Sequence, residues 1–463
     1  MRSTVAPAVV AVYLGALGAL VQDRALVLEG ATLIDGTGRA PLADAVVVIE
    51  GSRITAVGTR GSLAYPAGAE VISLAGRTIL PGLIDSHVHL RAHQVPMFLS
   101  YGVITIADIH NDTEWSIAQR EALKSDQIQG PRLFVSGARV TGPNQGPIDD
   151  PGYVRDVAEA RAYVRSLKTA GVDQIKVDLT ITDEQLRAVI EEATALGLRV
   201  LGHTQNIKKA AAMGMQHMEH LDTMARALLE EEGKDPRPAG TTSEAAVDPA
   251  MFPPLIDYLV QQGVYVNPVL ILSWAGATER WRDWTRDARQ MVEDPDLAFV
   301  PARWKAAWVR EPGDVYARFG LPMPARAGYE NAATFLRQYS EAGGKVLAAT
   351  DTGCCPWGWI IPGLSLHYEM QMLTDLGIPP MRAIQGATLW AAEVIGQERD
   401  LGSVEPGKLA DLTIIAGDPL SDISATRDVR MVIKDGRVID TSYDPTWVNP
   451  IPRTAPSVFP SAR

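Results

Sequence analysis

The stretch that decides the fold is Pro81-Gly82-Leu83-Ile84-Asp85-Ser86-His87-Val88-His89. Its apolar start, Leu83–Ser86, predicts a buried β-strand that ends at two histidines. Side chains two residues apart on an extended chain share a face, so the imidazoles of His87 and His89 can both point toward one metal ion. Asp85 lies on the same face and is a natural hydrogen-bond partner for His87. An H-x-H pattern is as often a packing feature, so its meaning depends on the residues at the ends of the other strands.

Seven further runs of β-forming residues come after this strand and alternate with helix-like segments. The alternation is the signature of a parallel α/β architecture, and eight such units predict a TIM-type (β/α)₈ barrel with insertions. The clearest helix comes after the fourth strand, where Thr182 and Gln185 form a capping box and Gly197 ends the helix. The predicted strands are Leu83–Ser86, Val103–Ile109, Arg132–Val140, Gln174–Val177, Arg199–Gly202, His217–Glu219, Tyr265–Leu270 and Lys345–Thr350.

Two β-rich segments flank the predicted barrel, one on each side. Residues 24–80 alternate short β-forming runs with turns, and residues 401–445 repeat this pattern. We expect the two segments to form one small β-sandwich built from both chain ends. The barrel would then occupy residues 81–400, and a C-terminal tail in residues 446–463 would come after the sandwich.

Composition excludes several classes of protein. The chain has 463 residues and a net charge of -12, and its length predicts one large domain with a smaller one. The acidic balance argues against nucleic acid as a partner, because a phosphate backbone requires a basic face. The two cysteines, Cys354 and Cys355, are adjacent, so we expect neither a disulfide between distant segments nor a CxxC zinc knuckle.

Residues 1–23 have the features of a signal peptide. Arg2 precedes the largely apolar run Val5–Leu20, and Ala16-Leu17-Gly18 offers a cleavage site. The run is shorter than the ~20 residues that span a bilayer, so no stable membrane span is expected. A cleaved segment would mean export to the periplasm or the cell exterior, whereas an unstructured start would leave the protein in the cytoplasm.

Four more residues that can bind metal lie at or near the ends of predicted strands. Lys176 lies within the fourth strand, and His203, His220 and Asp351 end the fifth, sixth and eighth. Active sites of this barrel assemble at the C-terminal ends of its strands. Each residue alone is explicable as structure. Together with the H-x-H pair they predict a metal site suited to Zn²⁺, which binds imidazole nitrogen with some oxygen.

Lys176 admits two interpretations. A lysine on a barrel strand can extend to the rim and keep its charge in water. Alternatively, CO₂ carboxylates its amine to a carbamate, whose two oxygens can bridge two metal ions as a carboxylate does. The other ligands are too many for one tetrahedral ion, which favours the carboxylated lysine and two divalent metals.

Several residues near the strand ends are candidates for substrate contact. His110 comes after the second strand and His367 starts a helix after the eighth, and either can equally be structural. Trp357 and Trp359 lie just beyond the eighth strand, and the insertion 271–326 carries five further tryptophans. Such rings either pin long loops to the barrel or line an apolar pocket. A pocket would favour substrates with a bulky apolar or aromatic group.

These residues resemble those of the amidohydrolase superfamily. The Pro81–His89 stretch is similar to its opening motif. A second motif, similar to the return of the chain into its small β-sandwich, is Gly402-Ser403-Val404-Glu405-Pro406-Gly407-Lys408-Leu409-Ala410-Asp411-Leu412. The resemblance extends from about Arg24 to Asp440 and is closest to the branch of imidazolonepropionase-like enzymes and prolidase-like dipeptidases. Lys176 resembles the bridging lysine of the binuclear, prolidase-like group, which the mononuclear imidazolonepropionases lack.

The resemblance implies a set of ligands and two departures. Gln205 stands where the dipeptidase branch often has a further histidine, and is therefore a candidate contact with a different substrate. Val140–Pro147 replaces a glycine- and histidine-rich turn after the third strand. The implied ligands are His87, His89 and Asp351 for the first metal, His203 and His220 for the second, and Lys176 as the bridge.

The implied reaction is hydrolysis of a carbon–nitrogen amide bond by a hydroxide that bridges two zinc ions. Asp351 would take a proton from the attacking water and give it to the leaving amine. One substrate class is a linear amide, such as a dipeptide or an N-acyl amino acid; the other is a carbamate, urea, lactam or ester. A non-catalytic relative would be expected to have lost ligands, and all are present. We further expect a homo-oligomer that acts on a small molecule.

Overall fold

The computed structural model describes residues 24–144, 148–235, 242–318, 323–354, 356 and 358–453. The predicted signal peptide therefore lies outside the described residues, as do Cys355, Trp357 and the last part of the predicted tail. No helix within the described ranges is long and apolar enough to cross a membrane.

The described residues form sixteen strands, in an order that agrees with the predicted α/β organisation. Their bounds are β1 Leu26–Leu33, β2 Leu42–Glu50, β3 Arg53–Thr59, β4 Glu70–Ser73, β5 Arg77–Pro81, β6 Leu83–Val88, β7 Val103–Asp108, β8 Arg132–Val135, β9 Gln174–Val177, β10 Arg199–Gly202, β11 His217–Glu219, β12 Tyr265–Asn267, β13 Lys345–Val346, β14 Leu412–Ala416, β15 Val429–Lys434 and β16 Arg437–Ile439. Strands β6 to β13 begin at the same residues as the eight predicted barrel strands.

Strands β6 to β13 pair in parallel in two groups. Five of them form one sheet in the order β13-β12-β11-β10-β9, and three form another in the order β6-β7-β8. Isolated parallel bridges lie at both gaps between the groups, where Val88 pairs with Thr352 and Val140 pairs with Val177. Because all of these pairings are parallel, the carboxyl ends of the eight strands lie on one side of the molecule.

Strands from both chain ends form one eight-stranded sheet. Its order is β16-β15-β14-β5-β1-β2-β3, and β4 pairs with β1. The antiparallel pairing of β14 with β5 joins the C-terminal segment to the N-terminal one. Both faces of the sheet are buried at β1 and β2, with Leu28 and Val47 on one face and Val27 and Val46 on the other. The two β-rich ends of the chain thus assemble together.

Some predicted strands extend too far at their C-terminal ends. β8 ends at Val135 and β12 at Asn267, a few residues earlier than predicted. Beyond each end a residue adopts a left-handed conformation, Gly137 with φ 64° and Val269 with φ 45°. Such a residue cannot continue a strand. The apolar residues beyond these points therefore belong to loops at the carboxyl ends.

Helices connect most of the parallel strands. The predicted capping box of Thr182 and Gln185 is present at the start of the helix that comes after β9. The α-helices are α1 Met97–Ser100, α2 Thr113–Lys124, α3 Val157–Ala170, α4 Asp183–Ala195, α5 Ile207–Ala212, α6 Asp222–Glu231, α7 Thr242–Ala245, α8 Phe252–Gln261, α9 Leu270–Ser273, α10 Arg280–Val292, α11 Ala302–Trp308, α12 Pro312–Arg318, α13 Arg326–Glu341, α14 Leu364–Asp375, α15 Pro380–Gly386 and α16 Leu389–Val394. The short 3₁₀ helices are Ala92–Gln94, Pro249–Met251, Ala275–Ala277, Pro295–Leu297 and Ile423–Arg427.

The insertion 271–326 is mainly helical and directs its tryptophans inward. Trp274, Trp284, Trp304 and Trp308 are all buried and belong to the largest hydrophobic cluster of the protein. Burial of large aromatic rings contributes strongly to packing. These four rings therefore hold the insertion against the core. Of the two interpretations that the sequence allowed, they have the structural one and do not line a pocket.

Candidate active site

The six predicted ligands lie together at the carboxyl side of the parallel strands. Most are buried, but the His203 side chain is 29% exposed and the His220 side chain is 17% exposed. These two residues mark the side of the cluster that is open to solvent. His87 is in β6, Lys176 is in β9, and His89, His203, His220 and Asp351 lie in the segments just after β6, β10, β11 and β13.

Asp351 lies at the centre of this cluster. Its Oδ1 is 2.9 Å from His89 Nε2 and 3.5 Å from His87 Nε2, and its Oδ2 is 3.7 Å from His220 Nε2. One ligand atom each from His87, His220 and Asp351 lie within 4.8 Å of one another, close enough to share one ion. Burial alone would raise the pKa of Asp351, but the charges of His87 and His89 hold it well below its usual range. The carboxylate is therefore ionised.

His203 and Lys176 complete the cluster. The ring centroid of His220 lies 4.9 Å from that of His203 and 5.4 Å from that of His87. Burial lowers the pKa of Lys176. Burial, with the charge of Lys176 as the next cause, lowers the pKa of His203. Lys176 on β9 is in register with Leu201 on β10, two residues before His203.

Several ligand atoms of the cluster are buried and make no hydrogen bond to any described residue. A buried polar atom left unpaired costs about 1–3 kcal/mol, so a group of them in one place requires an explanation. Imidazole nitrogens and carboxylate oxygens are the ligands that Zn²⁺ prefers, and the residues therefore fit a divalent metal site. The atoms are His87 Nε2, Lys176 Nζ and His203 Nε2.

Two of the ligands have strained backbones. His220 has φ 59° and Asp351 has φ 55°, a left-handed conformation that costs a non-glycine residue roughly 1–3 kcal/mol. Each is held by a backbone hydrogen bond to a neighbouring strand segment. The N–H of His220 donates to the carbonyl of Asn267 at 2.9 Å, and the N–H of Asp351 donates to the carbonyl of His87 at 2.8 Å. This left-handed conformation directs both side chains toward the cluster.

Asp85 supports the cluster through the backbone rather than through an imidazole. Its carboxylate accepts hydrogen bonds from the hydroxyl of Thr350 at 2.6 Å and from the backbone N–H of Thr350 at 3.2 Å. It also accepts the backbone N–H of His87 at 3.3 Å. We expected Asp85 to bind the His87 ring; instead it ties β6 to the segment that carries Asp351.

The partner of the His87 ring is Glu219, which the sequence analysis did not identify. Glu219 is fully buried, and its Oε2 lies 2.5 Å from His87 Nδ1. Glu219 is two residues after His217 on β11, and residues two apart on a strand share a face, so the sequence does show that these two side chains lie together. The sequence does not show which face of β11 points toward His87, so this contact could not be predicted.

His110 and Gln205, both suggested for substrate contact, lie beside the cluster. The ring centroid of His110 is 6.0 Å from that of His89, and its Nδ1 accepts the backbone N–H of Arg139 at 3.3 Å. Burial lowers the pKa of His110 to about 2, so its ring is neutral. Gln205 Oε1 accepts a long hydrogen bond of 3.4 Å from Arg226. Substrate contact by either residue stays a prediction.

Two other residues suggested for substrate contact lie in the core instead. The Trp359 ring is fully buried, and its N–H donates to the carbonyl of Ile271 at 2.8 Å. Both ring nitrogens of His367 are hydrogen-bonded at 2.9 Å, one to the Thr426 hydroxyl and one to the Tyr101 carbonyl. Packing therefore uses the groups that these side chains would offer to a substrate.

Comparisons with known proteins agree with this site. The family model described as the amidohydrolase family matches residues 78–439. The chain is 25% identical over 381 residues to an imidazolonepropionase of Pseudomonas paraeruginosa (strain DSM 24068 / PA7). The aligned region covers 80% of this chain and 86% of that protein.

Two solved structures share the fold. A Xaa-Pro dipeptidase with bound methionine in the active site has a TM-score of 0.64 and 24% identity, over 90% of this chain and 100% of that one. A molinate hydrolase has a TM-score of 0.68 and 22% identity, over 94% of this chain and 98% of that one. The family match over most of the chain shows that it belongs to the amidohydrolase family, as a hydrolase of carbon–nitrogen bonds.

Proposed function

We propose that this enzyme hydrolyses the carbon–nitrogen bond of a linear amide at a site that holds two divalent metal ions. The observation that carries the proposal is the buried cluster of four histidines, Lys176 and Asp351, in which several ligand atoms lack a hydrogen-bond partner among the described residues. When bound there, divalent metals would activate a water molecule as the nucleophile and polarise the carbonyl of the substrate.

The family resemblance implies a division of the histidines into two groups around Asp351, in which His220 also lies within reach of an ion shared with His87 and Asp351. His87 and His89 both approach Asp351 Oδ1, at 3.5 and 2.9 Å, and would hold the first metal with it. His203 and His220, with ring centroids 4.9 Å apart, would hold the second.

The environment of Lys176 supports its role as the bridge. Burial lowers the pKa of its amine, which favours the neutral form that can add to CO₂. In that reaction the nitrogen lone pair forms a bond to the carbon of CO₂, the nitrogen releases one proton to water, and a carbamate results whose single negative charge is shared by two oxygens. Two oxygens on one side chain can contact two cations, which an ammonium group cannot.

Asp351 is placed to move the proton. Its carboxylate is ionised, because the charges of His87 and His89 outweigh the effect of burial on its pKa. It can therefore accept a proton from the attacking water and donate it to the leaving amine nitrogen when the carbon–nitrogen bond breaks. The neighbouring His110, with a pKa lowered to about 2 by burial, is neutral and can form a hydrogen bond with the substrate but cannot act as a cationic acid.

We infer that the eight parallel strands close into a barrel and that the mixed sheet folds into a sandwich. The two isolated bridges between the parallel sheets support closure, and the burial of both faces of β1 and β2 supports a second layer. This inference keeps the predicted domain boundaries, with residues 81–400 in the barrel and residues 24–80 and 401–445 in the sandwich.

A substrate panel with a matched inactive variant tests the function. The wild type and Asp351→Asn are treated with a chelator, reloaded with Zn²⁺ and assayed against N-acyl amino acids, dipeptides, carbamates, ureas, lactams and esters. We expect amide hydrolysis that the chelator abolishes, Zn²⁺ restores and Asp351→Asn lacks. Faster hydrolysis of a carbamate, urea, lactam or ester would favour the second substrate class. Hydrolysis that neither the chelator nor the variant affects would contradict the proposal.

The same panel tests the predicted preference for an apolar or aromatic acyl group. The buried Trp274, Trp284, Trp304, Trp308 and Trp359 do not supply the pocket from which that preference was argued, since they pack in the core. A comparison of kcat/KM for matched aromatic and small acyl substrates decides whether the enzyme prefers an apolar or aromatic acyl group without such a pocket.

A further inference from the structure

Glu219 is a buried carboxylate at the end of β11, directly behind the metal-binding cluster. Its side chain is fully buried, and its residue is in register with Asn267 on the neighbouring strand β12. It is not one of the predicted ligands, yet its Oε2 lies 2.5 Å from Nδ1 of His87. The burial of a charged group at this position requires a partner that uses the charge.

One further side chain holds the Glu219 carboxylate in place, and a second lies beside it. The amide nitrogen of Asn267 donates to its Oε2 at 2.8 Å. The Nε2 of His217, on the same face of β11, lies 3.3 Å from its Oε1. The carboxylate is therefore approached from three directions, and its position relative to His87 is determined by two strands rather than by a flexible loop.

The contact with Nδ1 determines what the rest of the His87 ring can do. A neutral imidazole has one N–H and one lone pair, and a carboxylate at Nδ1 favours the proton there. In the neutral form, which a metal ligand must take, the lone pair is then at Nε2, which faces Asp351 Oδ1 at 3.5 Å. This is the nitrogen that must carry a lone pair to bind a metal ion.

We propose that Glu219 is a positioning residue that fixes the tautomer and orientation of His87 and thereby raises the affinity of the site for its metal. The inference rests on the proposed function in one respect, since it assumes that His87 binds the metal. Partners of this kind typically change metal affinity by about 10–100-fold when they are removed. Glu219 acts through His87 and does not itself reach the substrate.

Glu219→Gln is the direct test, because it keeps the size of the side chain but removes its charge. We expect its dissociation constant for Zn²⁺, measured by competition with a chelator, to rise about 10–100-fold. In the Co²⁺-loaded enzyme, the wild type should show a slowly exchanging, paramagnetically shifted ring N–H proton from His87. Glu219→Gln should shift this signal or expose it to exchange with solvent, which a loss of general stability would not do.

Two more variants separate positioning from a loss of folding. Glu369→Gln changes another fully buried carboxylate, one that accepts the backbone N–H groups of Leu270 and Ile271 at 2.8 and 2.7 Å. It should lower stability and leave the affinity for Zn²⁺ unchanged. Asn267→Ala, which removes one support of Glu219, should weaken Zn²⁺ binding in the same direction but less, and keeps the test informative if Glu219→Gln does not fold.

The outcomes distinguish this inference from the proposed function. Wild-type affinity for Zn²⁺ and an unchanged ring N–H signal in Glu219→Gln, or unchanged affinity in Asn267→Ala if the first variant does not fold, would overturn the positioning role while leaving a metal-dependent hydrolase in place. A wild type that binds neither Zn²⁺ nor Co²⁺ would instead contradict the proposed function itself.

Discussion

Replacing Lys176 with methionine should stabilise the metal-free protein, although Lys176 is a proposed ligand. The lysine is 2% exposed, and its amine makes no hydrogen bond to the residues that the structure describes. Methionine has a similar length and buries an apolar thioether in the same space. Because an unpaired buried polar group costs about 1–3 kcal/mol, the free energy of unfolding of the metal-free variant should rise by about that amount.

The same substitution should have the opposite effect in the presence of metal. A ligand that binds only the folded state stabilises it by RT ln(1 + [L]/Kd), about 4 kcal/mol when its concentration is a thousand times Kd. Without the bridge, Lys176→Met should lose much of this increment. The order of stability of the two proteins should therefore invert between metal-free and metal-loaded samples.

The pH dependence of stability gives a second check. Burial lowers the pKa of Lys176 from its ordinary value of 10.5. Above the ordinary pKa, the amine is neutral in both the folded and the unfolded chain, and it costs the folded state nothing by titration. As the pH falls from there toward the lowered pKa, only the unfolded chain binds the proton, so the folded state loses stability. The metal-free wild type should gain stability between neutral and alkaline pH by a component that Lys176→Met lacks.

Urea denaturation of chelator-treated and Zn²⁺-loaded samples measures all three effects. Lys434→Met is the matched control, since Lys434 is also buried but its amine donates to the carbonyl of Gly130 at 3.0 Å. The control should lose stability in both metal states. A metal-free Lys176→Met protein that is less stable than the wild type would refute the reasoning, because the amine would then have a stabilising partner.

Three further predictions concern the metal, the proton and the tryptophans. Elemental analysis of the Zn²⁺-loaded protein should find two metal ions per chain, and full activity with one would contradict a binuclear site. Asp351→Asn should lower kcat by about 10²–10⁴-fold, the usual contribution of a general acid–base, while elemental analysis still finds most of the metal. Trp359→Phe removes the hydrogen bond to Ile271 and should lower the free energy of unfolding by about 1–3 kcal/mol. Its KM for aromatic and small acyl substrates should stay unchanged, and a selective rise for the aromatic ones would return Trp359 to the substrate site.

The beginnings of the parallel strands could be predicted from the sequence, whereas several of their ends could not. A buried parallel strand starts where a polar turn gives way to an apolar run, and Tyr265 and Lys345 both mark such a change. The ends depend on backbone conformation. Val269 is as apolar as the strand before it, yet its φ of 45° takes it out of the strand. A β-branched residue in this conformation reflects tertiary contacts that no local pattern contains.

The same distinction holds for the site. The gathering of the candidate ligands could be predicted because active sites of this kind of barrel assemble at the carboxyl ends of its strands. Their supports could not, since each is a contact between distant segments. Asp85 meets Thr350 and Glu219 meets His87, and nothing in the spacing of either pair shows it. The tryptophans illustrate the converse, because an apolar ring near a strand end fits a substrate pocket and a packed loop equally well.

The backbone bonds that hold the two strained ligands also connect the elements of the site. Asp351 donates to the carbonyl of His87 on β6, and His220 donates to the carbonyl of Asn267 on β12. His87 is itself bonded to Glu219, and Glu219 to Asn267. Each of these bonds joins neighbouring strands or the segments that extend them. The pairing that stabilises the fold is therefore the same pairing that directs the proposed ligands, so a metal bound there would meet side chains whose positions were already determined by folding.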